Sequence, residues 1–401
     1  VNELDRLLNL SEEEKRSQGV LFTPGEIYQQ PRMWEATLGI VRQHAPELKM
    51  FLRNCGLLRG ADLTVYLLGA GTSEYVGNAV ADTLRRHLGV TCVSLPTTTF
   101  IPSPGDWIQE GKNYLFVYFA RSGDSPESIG SYDTVHELAP EAHHLVITCN
   151  RDGALAKAPA RDDRLFVLCL PDETNDRSLV MTSSFSSMAV AAIAIAHLDS
   201  LDDFQADLLL AANAARGLLE KGVDEVRRFA AACGRRMQYL GTGGAFGTMQ
   251  ECRLKVLEMT AGKIAANADT YLGLRHGPQV FVNEECGVVA SLSSDESRRR
   301  YELDLLKELQ SKAQGRTSLC ICDRKTRELE LLGGTIIELN SGSRPVPDEL
   351  RVVTDVIVGQ LIGLFKSIEL SLKPDSPSEG GIINRVVTGV RIYPIQRSQA
   401  L

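Results

Sequence analysis

Leu68-Gly69-Ala70-Gly71 closes one apolar run and opens a helical one, and Leu240-Gly241-Thr242-Gly243 does the same 172 residues later. Working outward at that spacing, Val117 matches Val289, Leu145 to Thr148 is answered by Ser318 to Ile321, and Leu165 to Leu170 by Thr335 to Leu339. Short apolar runs alternating with helical stretches are the pattern of strands buried on both faces of a parallel sheet. Their recurrence at one period predicts a duplicated chain: two tandem three-layer α/β/α domains, each around its own parallel sheet, rather than one long sheet.

An Ala-rich helix expected from Leu208 to Leu219 bridges the copies, and the boundary falls near residue 222. The predicted organisation is a helical N-terminal segment over 1–60, a first α/β domain over 61–222, a second over 223–372 and a C-terminal tail over 373–401. In the N-terminal segment, Thr23-Pro24-Gly25-Glu26 reads as a helix start, with Thr23 as cap, Pro24 in the first helical position and Glu26 in the third. Trp34, Leu38 and Val41 then follow at helical spacing. Lys373-Pro374-Asp375-Ser376-Pro377-Ser378-Glu379-Gly380-Gly381 continues neither helix nor strand and predicts a tail that orders on contact.

With 401 residues, 43% hydrophobic and 23% charged, the chain is long enough for two or three domains and too apolar to be disordered or fibrous. A net charge of −8 opposes diffuse attraction to nucleic acid or an anionic membrane, so an anionic ligand needs a local pocket. The nine cysteines form no Cys-x-x-Cys pair and several lie in apolar runs, the pattern of buried free thiols in a reducing cytoplasm. The most apolar run, Met188 to Leu198, is too short to cross a bilayer, and the N-terminus has no signal pattern.

Gly69-Ala70-Gly71-Thr72-Ser73 follows a predicted strand and opens a predicted helix. Glycines let the backbone approach an anion, helix-terminal amides point at it, and two hydroxyls add donors. The sixth position is Glu74 rather than the glycine of a dinucleotide fingerprint, so a tight turn with a hydroxyl cap explains the motif equally well. A second such turn, Ala120-Arg121-Ser122-Gly123-Asp124-Ser125-Pro126-Glu127, follows the strand expected beside the first. Ser125 before Pro126 is a good helix cap in its own right, but two such loops on adjacent strand ends form a phosphate cradle. The second copy keeps the glycines and replaces Thr72 and Ser73 with Gly244 and Ala245, which assigns phosphate binding to the first copy.

The second copy offers a helix on which Glu251, Lys255 and Glu258 fall at i, i+4 and i+7 and share a face. One reading is a solvated salt-bridge stripe. The other is a general base, Glu258, kept ionised by a neighbouring cation. Leu274-Arg275-His276-Gly277-Pro278 holds a histidine in a turn, as polar surface or as a proton carrier near neutral pH. His143 and His144 precede a strand, while His44, His87, His136 and His197 sit in helical stretches without partners at i+4. No metal site is expected.

Together these residues resemble the sugar isomerase (SIS) family over roughly residues 50–370. Gly71-Thr72-Ser73 resembles its first phosphate loop, Arg121-Ser122-Gly123-Asp124-Ser125 its Ser-Gln-Ser-Gly-Glu-Thr loop, and Arg275-His276-Gly277-Pro278 its Lys-His-Gly-Pro turn. By similarity to the isomerase half of glucosamine-6-phosphate synthase, Gly71, Thr72, Ser73, Ser122, Gly123 and Ser125 hold a sugar phosphate. Glu258 is then the base, Lys255 contacts sugar hydroxyls with support from Glu251, and His276, from the neighbouring subunit, assists ring opening. A homodimer with shared active sites follows from that resemblance, and no cofactor does.

The chain departs from the pattern at Ala120 and Arg121, which replace the Ser and Gln of the phosphate loop, and at Leu272-Gly273 before the histidine turn. It has no glutaminase domain and no lysine after Lys373, so Arg121, Asn384 and Arg385 are the remaining candidates around the sugar. Thr270-Tyr271-Leu272-Gly273-Leu274-Arg275-His276-Gly277-Pro278 and Asn384-Arg385-Val386-Val387-Thr388-Gly389-Val390 resemble the AgaS branch. Its members are described as galactosamine-6-phosphate deaminases or tagatose-6-phosphate ketose/aldose isomerases. The resemblance implies an isomerising deaminase of an amino-hexose 6-phosphate or, with the same base, a simple aldose/ketose isomerase. A sugar-phosphate sensor that has lost the chemistry is a third reading, of a different class.

Overall fold

The computed structural model describes residues 1–57, 62–158, 164–339, 342, 344–378 and 380–394. The predicted junction at residue 61, Glu379 and the last seven positions of the tail lie outside them.

Among the described residues the apolar runs form ten strands: β1 (Leu63–Gly69), β2 (Thr91–Pro96), β3 (Asn113–Ala120), β4 (His143–Thr148), β5 (Leu165–Cys169), β6 (Arg236–Leu240), β7 (Ala265–Asp269), β8 (Cys286–Ser291), β9 (Thr317–Cys322) and β10 (Thr335–Glu338). They make two five-stranded sheets, ordered β2-β1-β3-β4-β5 and β10-β9-β8-β6-β7, and every pairing is parallel. Counted within its own copy, the second sheet has the order of the first, so the duplication read from 172-residue spacing is also a duplication of topology. In this order the chain reverses direction across the sheet between the first and third strands, which opens a crevice at their carboxyl ends. The glycine turns and the loops after β3 and β8 sit at those ends because the strands that precede them terminate there.

Contacts divide the chain into two compact units that interleave along the sequence. One contains Val1–Glu35, Asp176–Thr182 and Gln205–Ile382 and carries the second sheet. The other contains Ala36–Asn175, Ser183–Phe204 and the chain from Ile383 onward and carries the first. The helix Leu201–Gly217 continues through a π turn, Leu218–Gly222, into the helix Val223–Ala232, so the region near residue 222 is helical throughout. The Ala-rich helix Ser183–Ala196 is buried on all sides from Ser183 to Ile195, which accounts for a run apolar enough to resemble a membrane segment and too short to be one. Among the described residues, no helix is long and apolar enough to cross a membrane.

Two local expectations change. The helix Thr23–Tyr28 begins as predicted, but neither Thr23 nor Glu26 caps it. The carboxylate of Asp375, from the predicted tail, accepts the N–H groups of Leu21 (2.5 Å), Phe22 (3.1 Å) and Thr23 (2.8 Å) and the hydroxyl of Thr23 (2.7 Å). A full negative charge at a helix start is a stronger partner for those amides than a hydroxyl. Glu26 instead turns inward to accept from the N–H groups of Arg177 and Ser178 and from the Ser178 hydroxyl. Burial, with the nearby Asp176, pushes its carboxyl up to about 7 against the pull of those donors. His143 and His144 likewise belong to β4 rather than preceding it, and buried His144 meets the Tyr118 hydroxyl through Nδ1 at 3.0 Å. All nine cysteines are free, and all but Cys169 are buried.

Candidate active site

In the first-sheet unit, β1 runs directly into the helix Thr72–Leu88 through Gly71, whose φ of 57° and ψ of −125° suit a residue without a side chain. Gly69 is needed for a different reason: a Cβ there would lie 2.4 Å from the carbonyl carbon of Ser73. The turn therefore folds tightly onto the first helical turn and buries Thr72 and Ser73 beside its amides. Backbone N–H groups at a helix start, with two hydroxyls beside them, have the donor chemistry that an anion needs.

The loop after β3 is held from below. Asn150 Nδ2 donates to the Ser122 carbonyl at 2.9 Å, the Leu155 N–H donates to the Gly123 carbonyl at 3.0 Å, and Asp124 Oδ1 accepts the Ala154 N–H at 2.8 Å. Ser125 caps the helix Pro126–Leu138, accepting the Ser128 N–H at 3.3 Å with Pro126 in the first turn, as its sequence predicts. Both loops end neighbouring strands, β1 and β3, at the crevice that the strand order creates.

Arg121 and Arg385 are brought together, and Asn384 is not. The buried Arg121 guanidinium donates to the Arg385 carbonyl, and the Arg385 side chain donates to Asn175 Oδ1 at 2.7 Å, while Asn384 stands in solvent. Farther along the tail, Ile392 packs on Gly130, where a Cβ would come within 2.9 Å of it. In the same unit, two histidines that sequence spacing left unrelated, His87 and His197, meet with ring centroids 4.1 Å apart.

In the second-sheet unit, the helix Gly244–Met259 carries the Glu251, Lys255 and Glu258 stripe, and the solvated reading of that stripe is overturned. Lys255 Nζ lies 3.2 Å from Glu251 and 2.6 Å from Glu258, with Lys255 and Glu251 fully buried and Glu258 23% exposed. The long helix Asp348–Glu369 packs closely on the adjoining side of this helix at Gly359 and Gly363. A Cβ on Gly359 would come within 2.3 Å of the Cys252 sulfur, and one on Gly363 within 2.9 Å of the Met259 sulfur and 3.2 Å of the Lys255 carbonyl. Burial disfavours the Lys255 charge, but the two carboxylates more than offset it, so its pKa is raised and the amine stays cationic. It holds Glu258, the member of the stripe with access to solvent.

His276 ends a short 3-10 helix, Gly273–His276, and is exposed. Its flanks are fixed. Arg275 Nε donates to Glu308 at 2.7 Å, Gln279 donates to Glu308 at 3.1 Å and to Gln314 at 2.8 Å, and Leu274 is buried. The turn is built to hold an imidazole out from the surface.

Sequence reasoning missed the polar cluster at the carboxyl ends of β8 and β9. Arg351 and Asp355, on the long helix Asp348–Glu369, form a fully buried bidentate pair at 2.8 and 2.7 Å. The available signal was an arginine and an aspartate at i and i+4 within a largely apolar helix, where a charged couple is buried only when paired.

Two parallel sheets of this order, with a hydroxyl-rich glycine turn in one copy and a buried carboxylate–lysine–carboxylate stripe in the other, define a double-domain phosphosugar isomerase of the SIS type. No family model matches the chain. It is 36% identical over 379 residues to the D-galactosamine-6-phosphate deaminase AgaS of Escherichia coli, spanning 94% of this chain and 96% of that one. A solved structure described as tagatose-6-phosphate ketose/aldose isomerase from Escherichia coli matches with a TM-score of 0.85 at 34% identity, covering 93% and 96% of the two chains. The C-terminal domain of glucosamine-fructose-6-phosphate aminotransferase from Francisella tularensis shares the fold, with a TM-score of 0.73 at 18% identity over 88% and 98%. The chain belongs to the AgaS family.

Proposed function

We propose that this chain is an isomerising deaminase that converts an amino-hexose 6-phosphate, D-galactosamine 6-phosphate first among them, to the ketose 6-phosphate and ammonia. The observation that carries the reading is the enclosed Lys255, whose Nζ holds the partly exposed Glu258 carboxylate at 2.6 Å, where that carboxylate can serve as the proton acceptor. The relatives named galactosamine-6-phosphate deaminase supply the substrate class.

In this mechanism Thr72, Ser73, Ser122, Ser125 and the amides of the two helix starts hold the phosphate. His276 moves a proton to the ring oxygen as the hemiacetal opens. Glu258 takes the C2 proton and returns it to C1, which converts the 2-amino aldose to a 2-imino ketose. Water adds to the C=N carbon, ammonia leaves, and the C2 ketone remains. One water is consumed, so the net reaction is a C–N hydrolysis coupled to an internal oxidation and reduction at adjacent carbons.

The His276 turn also supports a homodimer. Leu272 and Val280, on either side of the histidine, are 51% and 85% exposed, an apolar rim suited to a second copy that receives the imidazole. We place the enzyme in the cytoplasm, a reading that the burial of eight of its nine cysteines supports. Simple aldose/ketose isomerisation is the second reading, favoured by the name of the related Escherichia coli structure. Incubation with galactosamine, glucosamine and tagatose 6-phosphates, with free ammonia and ketose/aldose interconversion both measured, separates the two. Ammonia from galactosamine 6-phosphate is expected, and interconversion of tagatose 6-phosphate without ammonia from either amino sugar overturns the deaminase reading.

A further inference from the structure

Tyr271 opens the turn that carries His276, and it is buried with its hydroxyl donating to the Ser291 carbonyl at 2.8 Å. Ser291 is the last residue of β8, and its own hydroxyl donates to Asp355 Oδ2 at 2.6 Å. Asp355 is gripped by the Arg351 guanidinium, which reaches on to the carbonyls of Leu292 at 2.8 Å and Ile321 at 3.2 Å. Thr354 adds a further donor to Asp355 at 3.0 Å. The whole chain of bonds is sealed: Arg351 is 2% exposed, and Asp355 and Tyr271 are 0% and 1%.

A buried ion pair is weak support for stability, because desolvation cancels much of its attraction. Fully bonded at both ends, it does fix geometry. What it fixes here is the carboxyl end of β8 against the long helix Asp348–Glu369, and through the Tyr271 hydroxyl the start of the histidine turn. The same long helix packs at Gly359 and Gly363 on the helix that carries the Glu251–Glu258 stripe.

We propose that Tyr271, with Ser291 and Asp355 behind it, is a positioning residue for His276, setting where the imidazole stands for ring opening. This rests on the role given to His276 above. Near-attack geometry is steep enough that an ångström of displacement costs up to about a hundredfold in rate. The group that needs this anchoring is the exposed side chain at the end of a four-residue turn.

The test is a double-mutant cycle on kcat and KM with the amino-hexose 6-phosphate that the protein turns over. Tyr271→Phe keeps the ring and removes the hydroxyl, and is expected to lower kcat about tenfold with KM moved less than about twofold. In a His276→Ala background the same change is expected to cost less than about twofold, because the group it positions is gone. Ser291→Ala, which leaves Tyr271 intact and cuts the next link, should repeat the pattern with a smaller loss, and thermal melting establishes that each variant is folded. If Tyr271→Phe and Ser291→Ala keep the wild-type kcat, or cost the same factor with and without His276, the positioning role is wrong while the ring-opening role stands. If His276→Ala alone keeps full kcat, the ring-opening role falls and the positioning role falls with it.

Discussion

Gly71 and Gly243 turn the chain alike, at φ and ψ of 57° and −125° in one and 58° and −131° in the other, yet Thr72 and Ser73 follow the first and Gly244 and Ala245 the second. The close approach beneath each turn is also shared, since a Cβ on Gly69 would lie 2.4 Å from Ser73 and one on Gly241 2.5 Å from Ala245. The loops that face these turns diverge further. Ser125 caps the helix after β3, whereas Asp295 caps the helix after β8, accepting from Ser297 at 2.8 Å and Arg298 at 3.0 Å. At the 172-residue offset, Arg121 and Ser122 correspond to Ser293 and Ser294. Those serines are engaged by the chain's own carboxylates: Glu302 accepts the Ser293 N–H at 2.8 Å, and Asp348 accepts the Ser294 N–H at 2.9 Å and the Ser293 hydroxyl. Duplication preserved the backbone of the turn, while in the second copy acidic side chains hydrogen-bond the facing loop, whereas among the described residues Ser122 in the first copy has no such carboxylate partner.

This contrast can be broken at four places. Glu258→Gln should lower kcat by about 10² to 10⁴ with phosphate affinity unchanged, measured by steady-state kinetics alongside calorimetric binding of inorganic phosphate. Equal loss of both would mean that the two copies do not divide the work. Lys255→Met removes the cation held between two carboxylates and should cost about 3–5 kcal/mol of stability in urea unfolding, together with most activity. A loss of activity without loss of stability would show that the stripe is less enclosed than its geometry requires. Thr72→Gly with Ser73→Ala gives the first turn the sequence of the second. It should raise KM about a hundredfold or more, from two lost charge-assisted hydrogen bonds worth about 1.5–3 kcal/mol each, and leave kcat nearly unchanged. Asp348→Ala should cost the least, about 1 kcal/mol, and should make thermal stability respond to added phosphate more than in the parent protein as the second loop loses its carboxylate.

The strands, the duplication and the glycine turns were legible because each rests on local chemistry: apolar runs of strand length, a fixed offset, and glycines where a side chain does not fit. The hydroxyl-rich turns were legible for the same reason, since such a turn between a strand and a helix is a local pattern. The burial of the Glu251 stripe was not. Three charges on one face read as solvated, and nothing near residue 251 announces the tertiary packing that buries Glu251 and Lys255. Thr23 and Glu26 misled in a related way. Their spacing is that of a capping box, and the outcome turned on Asp375, a competitor some 350 residues away. Tyr271 and Arg351 escaped notice because their importance lies in a bonding chain through a backbone carbonyl, which no side-chain pattern records.

The Asp375 cap also has a consequence for how the polypeptide is made. Residues 1–35 are synthesised well before their partners, from Gln205 onward and at last Asp375. The first-sheet unit, whose body is encoded between Ala36 and Phe204, completes its sheet while those leading helices still lack the carboxylate that anchors them. A nascent chain truncated before Asp375 should therefore expose its N-terminal helices to protease while its first sheet resists digestion, and one extended past that residue should protect both.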